Sequence, residues 1–228
     1  MRGYFFVVRE QVLQQDLYYK GYRIMTYTIK YPEMISDRFQ ILAEKLSALY
    51  RARASMYKKS TIHKLYQQAM VEYEYSIAND FPIREFEVYM DYKVTYNQNC
   101  TLSLYFDQYE YTGGAHGLTT RSSDNWNLQK SRRMELKDLF IVSMDTRGYV
   151  ISKIESQIEE QIAAGDDLYF ENYPQLVREN FKPNNFYLSE EGAVFYFQQY
   201  DIAPYAAGIR TFLIPYDGSG IAKPRCCY

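Results

Sequence analysis

Histidine, tryptophan and cysteine are scarce in this chain, at two, one and three residues among 228. Each shortage excludes something. With only His63 and His116, the usual zinc or iron signature of two histidines close together is missing. His63 has only Gln67 at the i+4 position. No G-x-S-x-G elbow presents a nucleophilic serine, and no G-x-G-x-x-G or P-loop pattern is present. Cys100 falls in an expected strand, and Cys226 and Cys227 are adjacent near the end. An odd count with one adjacent pair predicts neither a disulfide framework nor a set of metal ligands. No stretch reaches the length of a helical membrane span, about 18 apolar residues. The run YFFVV at 4–8 is too short for the core of a signal peptide. No export signal is expected, so a cytosolic location stays open beside an extracytoplasmic one. The formal net charge is −2, which gives no reason to expect a nucleic-acid partner.

What the chain has in excess is tyrosine: 26, with 13 phenylalanines. A large apolar ring with a polar tip suits half-buried strands and wet contact surfaces. Both a β-rich scaffold and a surface that binds protein or glycan fit this composition.

Residues 22–31, YRIMTYTIKY, read as a strand ended by Pro32. From Asp37, a candidate N-cap, to Asn79 there is no Gly or Pro, and apolar residues recur at helical spacing. Ser60 or Thr61 offers a second cap, so one long helix or two is expected here. Phe86, Val88, Met90, Tyr92, Val94 and Tyr96 alternate, NQN at 97–99 is a turn, and Leu102, Leu104 and Phe106 alternate again. This predicts a long antiparallel hairpin, followed by a third strand over 118–128. Asp145 or Thr146 caps a second helix near 146–164, and Gly165 ends it. Segments 185–188 and 193–200 form a hairpin with Gly192 at the left-handed turn position, 201–208 is a loop, and 209–216 is a last strand. The expected class is α+β, with mostly antiparallel sheets covered by the long N-terminal helical segment and the second helix.

The stretch YTGGAHGLTT at 111–120 sets Gly113, Gly114 and Gly117 around His116. It is not a phosphate cradle, because strand-like residues follow it instead of a helix. A metal or catalytic site would need His116 with Glu110 and Asp124. The reading that asks least is a tight turn, where glycine supplies backbone angles other residues avoid.

Several ordered motifs together carry a resemblance: YEYTGGAHG (109–117), WNL (126–128), LKDLF (136–140), NFYLSEEGAVFYFQQYDIAPYAAG (185–208) and FLIPY (212–216). They resemble a pair of adjoining bacterial domains of unknown function. That pair forms the extracytoplasmic part of the anti-sigma-V factor, a receptor for lysozyme. It also precedes the catalytic domain of a membrane-anchored peptidoglycan deacetylase. The resemblance implies one domain over 20–112 and a second, closely packed on it, over 113–217. It implies a non-enzymatic recognition module for a cell-envelope protein or glycan, with no cofactor and no metal, since the chemistry of the deacetylase lies in a separate domain. No sigma-binding segment, membrane span or deacetylase motif appears in these residues, and the turn after Trp126, usually glycine-containing, reads QKSRR. The candidate ligand-binding residues are Tyr109, Tyr111, His116, Tyr200 and Tyr205. The candidate turn residues are Gly113, Gly114, Gly117, Gly192, Pro204 and Gly208. Two other readings stay open: a hydrolase or metal-dependent enzyme built around His116, and a cytosolic relative with an unrelated protein partner.

Overall fold

The computed structural model describes residues 5–140, 145–165, 168–216 and 220–226. Two mostly antiparallel sheets and a long helical segment make it α+β. Six strands hydrogen-bond in sequence order: β1 (Val7–Tyr19), β2 (Tyr22–Ile35), β3 (Phe86–Gln98), β4 (Thr101–Tyr111), β5 (Leu118–Asn127) and β6 (Arg132–Arg133). A second sheet holds β7 (Phe186–Leu188), β8 (Gly192–Phe197) and β9 (Arg210–Pro215), all antiparallel. The contacts divide the chain into two compact units. The helical unit is Phe6–Tyr92 with Phe106–Thr120, and the C-terminal unit is chiefly Lys93–Tyr105 with Arg121–Tyr228.

In the helical unit, β1 and β2 form a hairpin that alternation does not announce. Its turn is Lys20–Gly21, both at positive φ (47° and 84°), the geometry whose twist matches the flanking strands. β2 then pairs parallel to β3, from Met25↔Phe86 to Ile29↔Met90. A parallel pair needs a long crossover, and the helical segment supplies it. That segment is α1 (Gln40–Tyr57), a π turn (Lys58–Ile62) and α2 (His63–Ala78) without interruption. Neither expected cap is used. No side chain caps the start at Phe39, and Ser60 Oγ donates to the Met56 carbonyl (2.8 Å) within the running helix. Leu42, Leu46 and Tyr50 of α1 and Leu65, Ala69 and Tyr73 of α2 are buried, as are Met25, Ile29, Phe86, Val88 and Met90 of the strands.

In the C-terminal unit, α3 (Thr146–Ala163) starts where expected, with the Asp145 carboxylate accepting from Gly148 N–H (3.0 Å). Val150, Ile154 and Ile158 pack with Phe186, Phe195, Phe212 and Ile214, which alternate along the three-stranded sheet. Residues 173–180 form a further helix, α4 (Tyr173–Asn180), with a proline in the first turn. The cysteine expectation is corrected. Cys100 lies in the β3–β4 turn at φ 57°, 1% exposed, and is joined to Cys226 by a disulfide with 5.3 Å between Cα atoms. The pairing spans 126 residues, so local spacing gave no sign of it. Cys227 lies outside the described residues.

Candidate functional site

The glycine motif connects β4 to β5, and each glycine has its own reason or none. Gly113 sits at φ 83°, and its carbonyl accepts from the Arg84 guanidinium. Gly117 is buried beneath Tyr109: a Cβ there would come within 2.3–2.6 Å of two Tyr109 ring carbons and its hydroxyl oxygen. Gly114 has ordinary φ, and the nearest atom to its added Cβ is the His116 carbonyl at 3.9 Å. The expectation that Gly114 holds a conformation closed to other residues is therefore corrected, since Gly113 holds it. Gly117→Ala is expected to cost about 1–3 kcal/mol by forcing the ring aside, and Gly114→Ala less than about 0.5 kcal/mol. Thermal melts of the two variants check this order.

His116 is exposed on this loop, with Nδ1 3.1 Å from the Gly117 carbonyl. The acids proposed beside it are engaged elsewhere. Glu110 Oε1 accepts from the Tyr57 hydroxyl (2.8 Å), and burial together with that carboxylate pushes the Tyr57 phenol up. Asp124 pairs with Arg133 (3.0 Å). Among the described residues no three His, Cys, Asp or Glu side chains gather in a metal-holding group.

The structure brings the tyrosine candidates together in two places. Tyr109 covers Gly117, with Tyr111 half-buried at the end of the same strand. Tyr200 and Tyr205 pair with ring centroids 6.1 Å apart. Tyr200 sits at φ 68° and is 49% exposed. Its loop is pinned from both sides. Asp201 accepts from Gln198 N–H (2.8 Å), and the Asn180 amide donates to the Asp201 carbonyl (2.7 Å). Burial raises the Asp201 carboxyl above its ordinary value. After Pro204, a short turn (Tyr205–Ala207) ends at Gly208, φ 66°. Gly192 is not at a left-handed position. It lies in β8 against the β9 backbone, where a Cβ would meet the Ile214 carbonyl oxygen at 2.1 Å.

A further site was not among the candidates. In the helical unit an open groove of about 730 Å³ runs between the β1–β2 hairpin and the helix. Leu13 and Leu17 of β1, Tyr27 of β2, and Ile62 and Tyr66 give it an apolar floor. Lys58, Lys59 and His63, all exposed, line it from the π turn and the start of α2. Lys58 Nζ lies 5.4 Å from the Tyr27 ring centre, the Tyr27 hydroxyl donates to Gln15 Oε1 (3.1 Å), and the Tyr66 hydroxyl donates to the Tyr18 carbonyl (2.7 Å). The His63 ring and the Gln67 amide are 3.1 Å apart. A groove with an apolar aromatic floor and cationic wall suits a ligand that has both apolar surface and negative charge. The π turn that carries the two lysines goes with the spacing of the buried residues Leu46, Tyr50, Ala54 and Ile62. Steps of four overrun an α-helical turn by about 40° each, and one wider π turn takes up the drift.

The family model described as "Deacetylase PdaC" matches residues 21–119, and that described as "Protein of unknown function (DUF3298)" matches residues 137–217. The peptidoglycan-N-acetylmuramic acid deacetylase PdaC of Bacillus subtilis (strain 168) is 29% identical over 130 residues, 56% of this chain and 27% of that protein. The chain thus spans about a quarter of that relative's length. Two crystal structures of DUF3298-family proteins share the fold at 18% identity. One, from Bacteroides fragilis, has a TM-score of 0.75 over 97% of this chain and 96% of its own. The other, from Pseudomonas aeruginosa PAO1, has a TM-score of 0.61 over 97% of each.

Proposed function

Since the chain carries a PdaC-type domain followed by a DUF3298 domain, we propose that it is a non-catalytic recognition module for a cell-envelope ligand, seated in the groove of the helical unit. The observation that carries this reading is the groove itself: an apolar floor of Leu13, Leu17 and Tyr27 beside Lys58 and Lys59. Peptidoglycan fragments offer both halves of the complement, apolar sugar faces for Leu13, Leu17 and Tyr66 and peptide carboxylates for the lysines. The curated relative is named for an activity on peptidoglycan. The disulfide supports a place on the oxidising, outer side of the membrane, because such bonds seldom persist among reduced cytosolic thiols.

A lysozyme-like protein is the second ligand reading. It is favoured by the pinned loop that presents the exposed Tyr200 against Tyr205, since tyrosine on a rigid loop is a common anchor at protein interfaces. The two readings separate by mutation. Lys58→Glu with Lys59→Glu is expected to weaken muropeptide binding about tenfold or more while the melt stays unchanged, because both side chains are exposed. Tyr205→Ala leaves muropeptide binding intact and weakens a protein ligand by more than about 1 kcal/mol. Calorimetric titration measures both. Charge reversal without effect on muropeptide binding would overturn the groove assignment.

A further inference from the structure

We propose that the C-terminal unit carries a second binding site, a groove for a short uncharged carbohydrate. Along β7, β8 and β9 one set of alternating residues, including Phe186, Phe195 and Phe212, enters the core. The other set, Tyr187, Val194 and Leu213, turns to the opposite face and lines an open groove of about 560 Å³. That volume suits a ligand of disaccharide size, within the roughly 300–1,000 Å³ of small-molecule sites.

The lining has the mixture that a sugar demands. Apolar side chains and a tyrosine ring offer surface for the C–H face of a pyranose, and the Gln157 amide oxygen and the Thr211 hydroxyl offer neutral hydrogen-bonding groups for hydroxyls, beside Thr95 and Ser189, whose own hydroxyls are bonded to Ser103 and within the 189–192 turn. The two charged lining residues, Lys93 and Glu191, have opposite signs, so the groove has no net attraction for an ion of either sign. This separates it from the lysine-lined groove of the helical unit and makes the proposal independent of that site.

The groove is held in shape before any ligand arrives. The Tyr187 ring centre lies 5.0 Å from that of Tyr105 and 6.4 Å from that of Tyr196. The Arg121 guanidinium sits 3.9 Å from the Tyr105 ring centre. Arg121 is itself fixed by Gln198, whose amide both accepts from its N–H (2.8 Å) and donates to its carbonyl (2.7 Å). On the α3 side, Gln157 Nε2 donates to the Leu213 carbonyl (3.0 Å). Side chains already ordered lose little further freedom on binding, which matters for ligands as weakly bound as sugars.

The test is an NMR titration of the ¹⁵N-labelled full chain with cellobiose, maltose and N,N′-diacetylchitobiose, each to about 20 mM, a range that captures millimolar affinity. At least one sugar is expected to give saturable shifts in amides around Tyr187, Ser189 and Thr211. Thr211→Trp and, separately, Lys93→Trp fill the groove from two different strands at exposed positions, and each is expected to weaken binding about tenfold or more. Two plugs are used so that a folding defect in one does not decide the outcome. The Lys58→Glu, Lys59→Glu protein should bind the same sugar as well as the parent, whatever becomes of its muropeptide binding. Absence of saturation with all three sugars, or undiminished binding in both tryptophan variants, would overturn the proposal.

Discussion

Cys100→Ser is expected to destabilise the C-terminal unit by about 5 kcal/mol, the loop-closure figure for a ring of this size. The Cys100–Cys226 bond closes a loop across 126 positions, and opening it frees the denatured chain to explore many more conformations. Domains of ordinary stability hold only about 5–15 kcal/mol, so a third or more of the total is at stake. The tail is also anchored without the bond. Ile221 is fully buried, and Ala222 N–H donates to the Leu139 carbonyl (2.8 Å). The serine variant should therefore still fold at low temperature. Cys100 is the residue to change, because Cys226 is followed in sequence by another cysteine that could replace it as partner. Trp126 is the chain's one tryptophan and belongs to the C-terminal unit, so its fluorescence through a denaturant titration reads the correct unit. The midpoint should fall in the variant and, for the parent, on adding reductant. Equal midpoints with and without reductant would contradict the role given to the bond.

Gly192→Ala is the second large effect. β8 and β9 approach so closely at the Gly192↔Pro215 pair that an added Cβ would lie 2.1 Å from the Ile214 carbonyl oxygen and 2.7 Å from the Pro215 Cα. Both neighbours are backbone, so no side-chain rotation relieves the clash and the two strands must part. Their separation disturbs the packing of Ala193, Phe195 and Ile214 in the core. A loss of about 3 kcal/mol is expected, at the upper end of overpacking costs. Gly208→Ala separates crowding from backbone conformation: its φ of 66° and ψ of −153° are angles that residues with a Cβ avoid, but open space surrounds the added Cβ, so its cost of about 1–3 kcal/mol comes from the backbone alone. Denaturant midpoints followed through Trp126 measure both variants. A Gly192→Ala protein as stable as the parent would show that the strands have room to spare.

These two glycines also mark what the sequence could and could not tell. The SEEG turn was legible, but not the reason for its glycine, because close backbone approach is a property of the strand that arrives later, β9. The β3–β4 hairpin was legible from Phe86, Val88 and Met90 against Leu102, Leu104 and Phe106, since one face is fully buried. β1 was not. Arg9, Glu10, Gln11, Gln14, Gln15 and Asp16 put polar groups on both faces of an edge strand that buries little, so no period of two survives. Losing β1 also hid the groove, two of whose five floor residues are Leu13 and Leu17. Lys58 and Lys59 stood out in the sequence only as the residues before the candidate cap at Ser60 or Thr61. The long-range pairing of Cys100 likewise depends on where the chain's end returns, which no local spacing encodes.

The most direct test of the recognition assignment is a calorimetric titration of the purified chain with defined muropeptides and, in parallel, with c-type lysozyme. The substrate is recovered afterwards and checked for chemical change. A saturable heat with at least one of them, and the ligand recovered intact, is the predicted result. Turnover of the muropeptide would contradict the non-catalytic assignment, and no heat from either ligand would contradict a cell-envelope recognition role.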